Sequence, residues 1–408
     1  MKNRGALSVL FLTTFLDLLG FGVIIPILPL FSESLGASDT QVGFIAAIYA
    51  LMNFTFSPFW GRMSDRHGRR PIILVSVLIT MMAYLIFSQT ETLLVLVLSR
   101  VFSGIGSANI GAAQAYIGDV TTPQNRAKSM GLIGAAFGLG FVFGPPIGGF
   151  VKAEYGIEML GYVAAGLSAI NFIVAYFFLP ESLKEKNRDS KAQNIVTSIG
   201  KQLVRPNINR LFWINILFIT AFSMMQVTAV LLWSDHSHLS EKEIGFVFMY
   251  IGISSALVQG LLVGKISRRF GERQMLAIGL TLLSIGLAAM PFFQGELFVP
   301  FELVAIGLLA LANGFINPAL MSLVTEYGSP SELGQLTGLY QSFGSLGRVI
   351  GPAIGGALYG FEYHLPYLAG PCLLVVAYLL SKGLVQPPKG DGTRGGLKNG
   401  DLLPNDSQ

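Results

Sequence analysis

The chain has 408 residues, of which 52% are hydrophobic and 12% charged, with 30 Phe and 48 Gly. That charge is about half the ~25% of an average soluble domain, too little to cover two or three globular domains in water. Composition therefore excludes a soluble enzyme, a disordered scaffold and a secreted disulfide module, and the single Cys372 cannot form an internal disulfide. The net charge of +4 sits in short loops between apolar runs, which is a membrane pattern and not a nucleic-acid-binding one.

A bilayer core of ~30 Å takes about 20 apolar residues at 1.5 Å rise per residue. Twelve such runs follow one another, at 5–31, 42–60, 71–89, 93–118, 128–151, 159–179, 210–233, 243–264, 274–293, 299–323, 335–359 and 366–386. The first is interrupted by Asp17, Pro26 and Pro29 and no cleavage site follows it, so it reads as a retained helix and not a signal peptide. Sorted by alternating loops, 23 of the 27 Lys and Arg fall on one side, while only Lys152 and Lys242 fall on the other and Arg100 and Arg348 lie inside spans. The positive-inside rule then puts both termini in the cytoplasm of a plasma (inner) membrane. The expected fold is an all-α membrane protein of twelve helices. It divides into a six-helix bundle at 1–180, a cytoplasmic linker at 181–209, a second bundle at 210–388 and a disordered tail at 389–408.

The halves repeat. Gly144-Pro145-Pro146-Ile147-Gly148-Gly149 answers Gly351-Pro352-Ala353-Ile354-Gly355-Gly356 at an offset of 207, where Asp119 also matches Glu326 and Gly140 matches Gly347. The loop Gly61–Arg70 answers Gly264–Arg273 at an offset of 203, with Arg268 where Asp65 stands. Two repeated six-span halves are a transporter signature, with the substrate site between them near mid-membrane.

Polar groups inside the runs are the candidate machinery. Asp17 lies ~18 Å into the first span, where an acid must be neutral, paired or wet. It serves as a proton carrier or as a structural acid bonded to neighbouring helices. Arg100 cannot shed its proton and needs an acidic or polar partner, with Asp17 at similar depth, unless it snorkels outward. Arg348 calls for an anionic substrate group or a structural partner, and Glu302, one turn inside its span, reads as a water-exposed end. Asn53, Gln114, Gln226, Gln259, Glu302 and Arg348 form the candidate cavity set. Trp60, Trp213 and Trp233 read as interfacial belt residues. His236 and His238 read as a solvated loop, not a metal site. No cofactor is expected, and no phosphate-binding loop supports ATP-driven transport.

Several segments together carry a resemblance: DLLGFGVIIPILP at 17–29, GRMSDRHGRRP at 61–71, RVFSGIGSANIGAA from Arg100, DVTTPQNRAKSMGL at 119–132, GAAFGLGFVFGPPIGG at 134–149 and LPES at 179–182. The chain resembles the major facilitator superfamily, specifically its twelve-helix drug:proton antiporter branch and the tetracycline-efflux-type members. The resemblance implies a non-enzymatic, proton-coupled exporter of hydrophobic or amphipathic molecules, functional as a monomer in the bilayer. The alternatives are uptake or exchange of a small metabolite or lipid-like substrate and, less favoured, a non-transporting receptor. It further implies a cytoplasmic gate of Gly61, Asp65, Arg66, Gly68, Arg69, Arg70, Asp119, Arg126 and Glu326. Gly140, Gly144, Pro145, Gly148, Gly149, Gly351 and Pro352 become a helix-bend or antiporter motif, and Asp17 and Arg100 become the proton-coupling pair. One departure stands out: where tetracycline pumps carry an acid in the third span, this chain has Ala83 beside Tyr84, and its ninth span holds no acid.

Overall fold

The computed structural model describes residues 2–183, 202–292, 298–328 and 333–385. Most of the expected linker and the whole of the 389–408 tail lie outside the described residues. Lipid offers the backbone no hydrogen-bond partner, so a spanning segment satisfies its own amides as a helix. The described residues are accordingly helical and contain no strand. Nine helices among them are long and apolar enough to cross a membrane.

Two of these nine are double. Within Pro123–Phe178 the chain turns at Gly156 (φ 83°), and within Val263–Ala289 it turns at Gly271 (φ 77°), conformations that glycine adopts without a Cβ penalty. Leu333–Phe361, 29 residues long, completes twelve crossings, numbered here as spans 1 to 12 in chain order. Span 1 is Lys2–Ile24, followed by a short helix Leu28–Ser34. Spans 2, 3, 7, 10 and 12 are Asp39–His67, Arg69–Ser88, Pro206–Asp235, Phe298–Tyr327 and Leu365–Lys382. Span 4 joins Leu93–Gly106 to Ile110–Val120 through a 3₁₀ turn, and span 8 runs from Glu241 through a π turn at Val258–Leu262. Spans 2 and 8 both begin with a capping box, Ser38 with Gln41 and Ser240 with Glu243, each satisfying two orphan amides.

The sequence repeat is a repeat of contacts. In span 5, Gly140, Gly144 and Gly148 press on Leu18, Gly22 and Val23 of span 1, so that an added Cβ would stand 2.9, 2.7 and 2.1 Å from them. In span 11, Gly347, Gly351 and Gly355 press in the same way on Ile219, Ser223 and Met224 of span 7, at 2.9, 2.1 and 2.6 Å. The next glycine in each stripe reaches the other half: Gly149 meets the backbone of Glu241 at the start of span 8, and Gly356 meets Asp39 and Gly43 at the start of span 2. Small residues at four-residue spacing let backbones touch where lipid gives helices no hydrophobic reason to associate. Gly134 and Gly138 have nothing within 4 Å and take no part. Gly148→Ala should therefore force spans 1 and 5 apart and cost roughly 1–3 kcal/mol, seen as a lower melting temperature of the purified protein, while Gly134→Ala should leave it unchanged.

One end of the bundle carries Asp65, Asp119 and the arginines, and is called here the arginine end; the other carries Lys152 and Lys242 and is the lysine end. The halves meet at the lysine end. Spans 2 and 11 touch there, spans 5 and 8 touch there, and Leu28–Ser34 packs against span 7. The two basic residues of this end both bridge the halves: Lys152 pairs with Glu241 at 2.5 Å, and Lys242 pairs with Glu154 at 3.9 Å while lying 5.4 Å from the centre of the Phe150 ring.

Candidate functional site: a polar centre and two charged ends

Asp17 lies on span 1, part-buried, and one of its carboxylate oxygens is buried without a hydrogen-bond partner. It lines a small cavity with Thr13, Thr14, Asn109 and Ala113, and the Thr13 hydroxyl there is likewise unpartnered. A cavity of this size, with two unpartnered oxygens on its wall, holds at most a single bridging water molecule. Arg100 is 2% exposed, and its Nε and Nη2 have no hydrogen-bond partner. Its guanidinium lies 5.3 Å from the centre of the Phe87 ring, a cation–π contact.

The direct pairing of Asp17 with Arg100 is not present: no ion pair joins them among the described residues. Tyr84 of span 3 and Tyr49 of span 2 stand in the fields of both groups. Tyr84 is buried and packs on Gly20, where an added Cβ would meet its ring at 3.2 Å. Beside Ala83, span 3 thus supplies a buried phenol in the field of both the acid and the base. Sequence reasoning missed Tyr49, because an aromatic inside an apolar run carries no polar signal. Its ring stacks on Phe21 at 4.8 Å, and Phe141 of span 5 meets Phe21 edge-on at 6.4 Å.

Arg348 is the sixteenth residue of the 29 in span 11 and is exposed. The lipid-facing side of that helix is Leu346, Ile350 and Ile354, also exposed. Two residues is about 200° around a helix, so Arg348 points to the opposite, interior side, where Tyr49 and Tyr340 feel its charge. Asn53, Gln114 and Gln226 are part-buried, and Gln259 is exposed on the π turn of span 8.

Glu302 corrects the sequence reading. Rather than a wet helix end, it is 2% exposed, accepts a 2.6 Å hydrogen bond from Trp233 Nε1, and leaves its second oxygen unpartnered. Periodicity placed its depth but could not show that span 7 covers it. Trp233 itself, 1% exposed, and Trp60, 6% exposed and donating to the Ile105 carbonyl at 2.7 Å, are interior residues; only Trp213 sits on the surface as a belt residue should. His236 stacks on Tyr363 at 3.9 Å, and no metal-binding cluster occurs among the described residues.

At the arginine end the charges knot together within the first six spans. Buried Arg69 donates to Asp65, to Asp119 at 3.1 Å and to Ser64 Oγ at 2.8 Å. Gly68, not Gly61, is the constrained glycine of the loop: its φ is 114°, and a Cβ would strike the Glu181 carboxylate at 2.4 Å, whereas Gly61 has nothing within 4 Å. Glu181, in LPES, was missed as well. It accepts the amides of Arg69 and Arg70 at 2.9 and 3.2 Å, placing a negative charge on the N-terminus of span 3. Ser182 of the same motif donates to Asp119 at 2.9 Å. Arg66 is exposed, and the side chain of Arg126 lies outside the described residues. In the second half Glu272 takes the place of Arg69; it accepts from Ser267 at 2.9 Å and repels the neighbouring exposed Glu326. The charge knot is therefore built once, not twice.

Comparison with known proteins agrees with this architecture. The family model described as Major Facilitator Superfamily matches residues 10–295 and 211–399. Multidrug resistance protein 2 of Bacillus subtilis (strain 168) is 31% identical over 380 residues, covering 92% of this chain and 94% of that protein. The class C tetracycline resistance protein of Escherichia coli is 32% identical over 397 residues, covering 92% and 96%. Among solved structures, the human organic anion transporter MFSD10 (TETRAN) superposes with a TM-score of 0.71 at 24% identity over 93% of this chain and 99% of that one. Two repeated six-span halves, a glycine-lined interface in each and relatives matched over nearly their whole length lead to one assignment: the chain belongs to the major facilitator superfamily.

Proposed function

We propose that this protein is a secondary active transporter that exports hydrophobic or amphipathic small molecules in exchange for protons. The observation that carries the reading is Asp17: a carboxylate deep in span 1, with a buried, unpartnered oxygen, whose field reaches the same two tyrosines as that of a buried arginine. Such a group can gain and lose charge where Arg100 and Arg348 cannot. The multidrug and tetracycline resistance proteins among its relatives support export over uptake.

Alternating access supplies the mechanism. Residues 1–180 and 210–388 rock as two bodies about the central polar groups, with 181–209 as the linker and 389–408 as a tail. The 23-to-2 split of basic residues supports a cytoplasmic arginine end, with both termini cytoplasmic in the inner membrane. On that orientation the chain is closed toward the outside and its substrate path faces the cytoplasm. Asp65 here is spent within its own half on Arg69; when the cytoplasmic ends close, it becomes available to the second half as a latch, with Asp119 keeping Arg69 neutralised. The protein acts as a monomer, because each half closes its own glycine interface.

The test is a panel of anionic, neutral and cationic fluorescent amphipaths in inverted membrane vesicles with an imposed pH gradient. Accumulation that collapses with the gradient is the expected result. Uptake in right-side-out vesicles with none in inverted ones would favour import of a metabolite and overturn the export reading.

A further inference from the structure

We propose that Glu302 is a proton switch for the lysine end: closing that end takes up a proton at Glu302 from the outer side, and opening it returns the proton there. The inference rests on the alternating-access reading above. It concerns a carboxyl group wholly inside the second half, away from Asp17.

Glu302, on span 10, is 2% exposed and has no basic partner among the described residues. One oxygen is bonded by the Trp233 indole, which donates and cannot neutralise charge, and the other oxygen is bare. An isolated carboxylate in such surroundings is far more costly than a carboxylic acid. The groups around it do not change this. Trp233 comes from span 7, Phe248 of span 8 packs edge-on against that indole at 5.9 Å, and the Tyr367 phenol of span 12 is the titratable group that shares its field. In the closed arrangement Glu302 is therefore protonated.

Its cover is also part of the seam between the halves. Trp233 lies two residues before Asp235, the last residue of span 7, and this end of span 7 packs against Leu28–Ser34 of the first half. Parting the halves here removes that backing and admits water toward Trp233 and Glu302. Once wet, Glu302 returns to ordinary carboxylate behaviour, with a pKa of about 4.3, and ionises. The closed form thus holds a proton that the open form lacks. Falling pH favours closure and rising pH favours opening, by about tenfold per pH unit for a single group between that value and the pKa of the buried acid.

Other acids line the same seam and must be separated from it. Glu33 faces Asp39 of its own half and Asp235 of the other; burial and these two carboxylates push Glu33 up to about 7. Asp235 accepts a hydrogen bond from Tyr359 at 3.1 Å, and His236 lies beside it. These groups add their own pH dependence, so the Glu302 share must be read as a difference.

The experiment uses full-length protein in nanodiscs with Cys372→Ser and spin labels at Tyr155→Cys and Phe361→Cys, exposed positions on opposite halves at the lysine end. Pulsed electron–electron distance distributions from pH 5 to pH 8 give the closed-to-open ratio. With Glu302 intact the ratio should fall with pH. Glu302→Gln keeps the indole bond, and it should lower the slope by about one decade per pH unit and hold the lysine end closed at high pH. Equal slopes in the two proteins would overturn the proposal. In parallel, infrared difference spectra should show a protonated-carboxyl band in the closed form that Glu302→Gln removes; its absence from the wild-type protein would also overturn it, even if the variant fails to fold. A label distance indifferent to pH and to substrate would instead count against alternating access itself.

Discussion

Asp17→Asn should reduce pH-gradient-driven accumulation in inverted vesicles to the level of vesicles without the protein, while substrate binding and substrate–substrate exchange persist. Asparagine keeps the size and hydrogen-bonding capacity of the side chain but cannot gain or lose a proton. The other acids are poorly placed to replace it. Asp65 and Asp119 are held by Arg69 at the arginine end, and Glu302 is sealed within the second half behind Trp233. Exchange needs only the binding site and the rocking motion, so it separates loss of coupling from loss of fold. Glu302→Gln should retain gradient-driven accumulation with an altered dependence on external pH. If Asp17→Asn pumps at wild-type rates and Glu302→Gln does not, the coupling carboxylate has been misassigned.

Reversing one charge of the lysine-end bridge should open that end. Lys152 and Glu241 are each mostly buried in the seam, and Lys152→Glu sets two acids face to face where an ion pair stood. An interaction of about 1 kcal/mol changes a two-state ratio by about fivefold, and the added repulsion pushes further in the same direction. Cysteine accessibility from the outer side should rise by at least that factor. The double reversal, Lys152→Glu with Glu241→Lys, restores the pair and should bring accessibility back to within about twofold of the parent. If the single and double variants behave alike, the pair does not hold the halves together.

The parts of this protein that were legible in its sequence are those written in spacing and in charge placement. The 207-residue offset between the glycine stripes predicted equivalent helices, and the contacts of Gly144 with Gly22 and of Gly351 with the Thr220 carbonyl show why the pattern exists: only a hydrogen atom fits between those backbones. Asp17 and Arg100 announced themselves as charges inside apolar runs. What spacing does not encode is which neighbour intervenes. Tyr49 and Tyr84 look like ordinary apolar filling until the fold sets them in the fields of both the acid and the base. Glu302 has the depth expected from its place in span 10, but its exposure depends on a tryptophan 69 residues away. Gly61 and Gly68 look alike as loop glycines, and only the φ of 114° at Gly68 and the Glu181 carboxylate against it distinguish them. The role of Glu181 was hidden for the same reason, since its partners are amides 111 and 112 residues earlier.

The central claim is that substrate leaves in exchange for protons through Asp17, and substrate-induced proton movement tests it most directly. Protein is reconstituted into liposomes containing a trapped pH-sensitive dye, with no initial pH gradient, and a transported amphipath is added to the side of the arginine end. The account predicts prompt proton movement toward that side, opposite to the substrate, in the wild-type protein and none in Asp17→Asn. Substrate movement with no accompanying proton movement, or the same proton movement in Asp17→Asn, would contradict it.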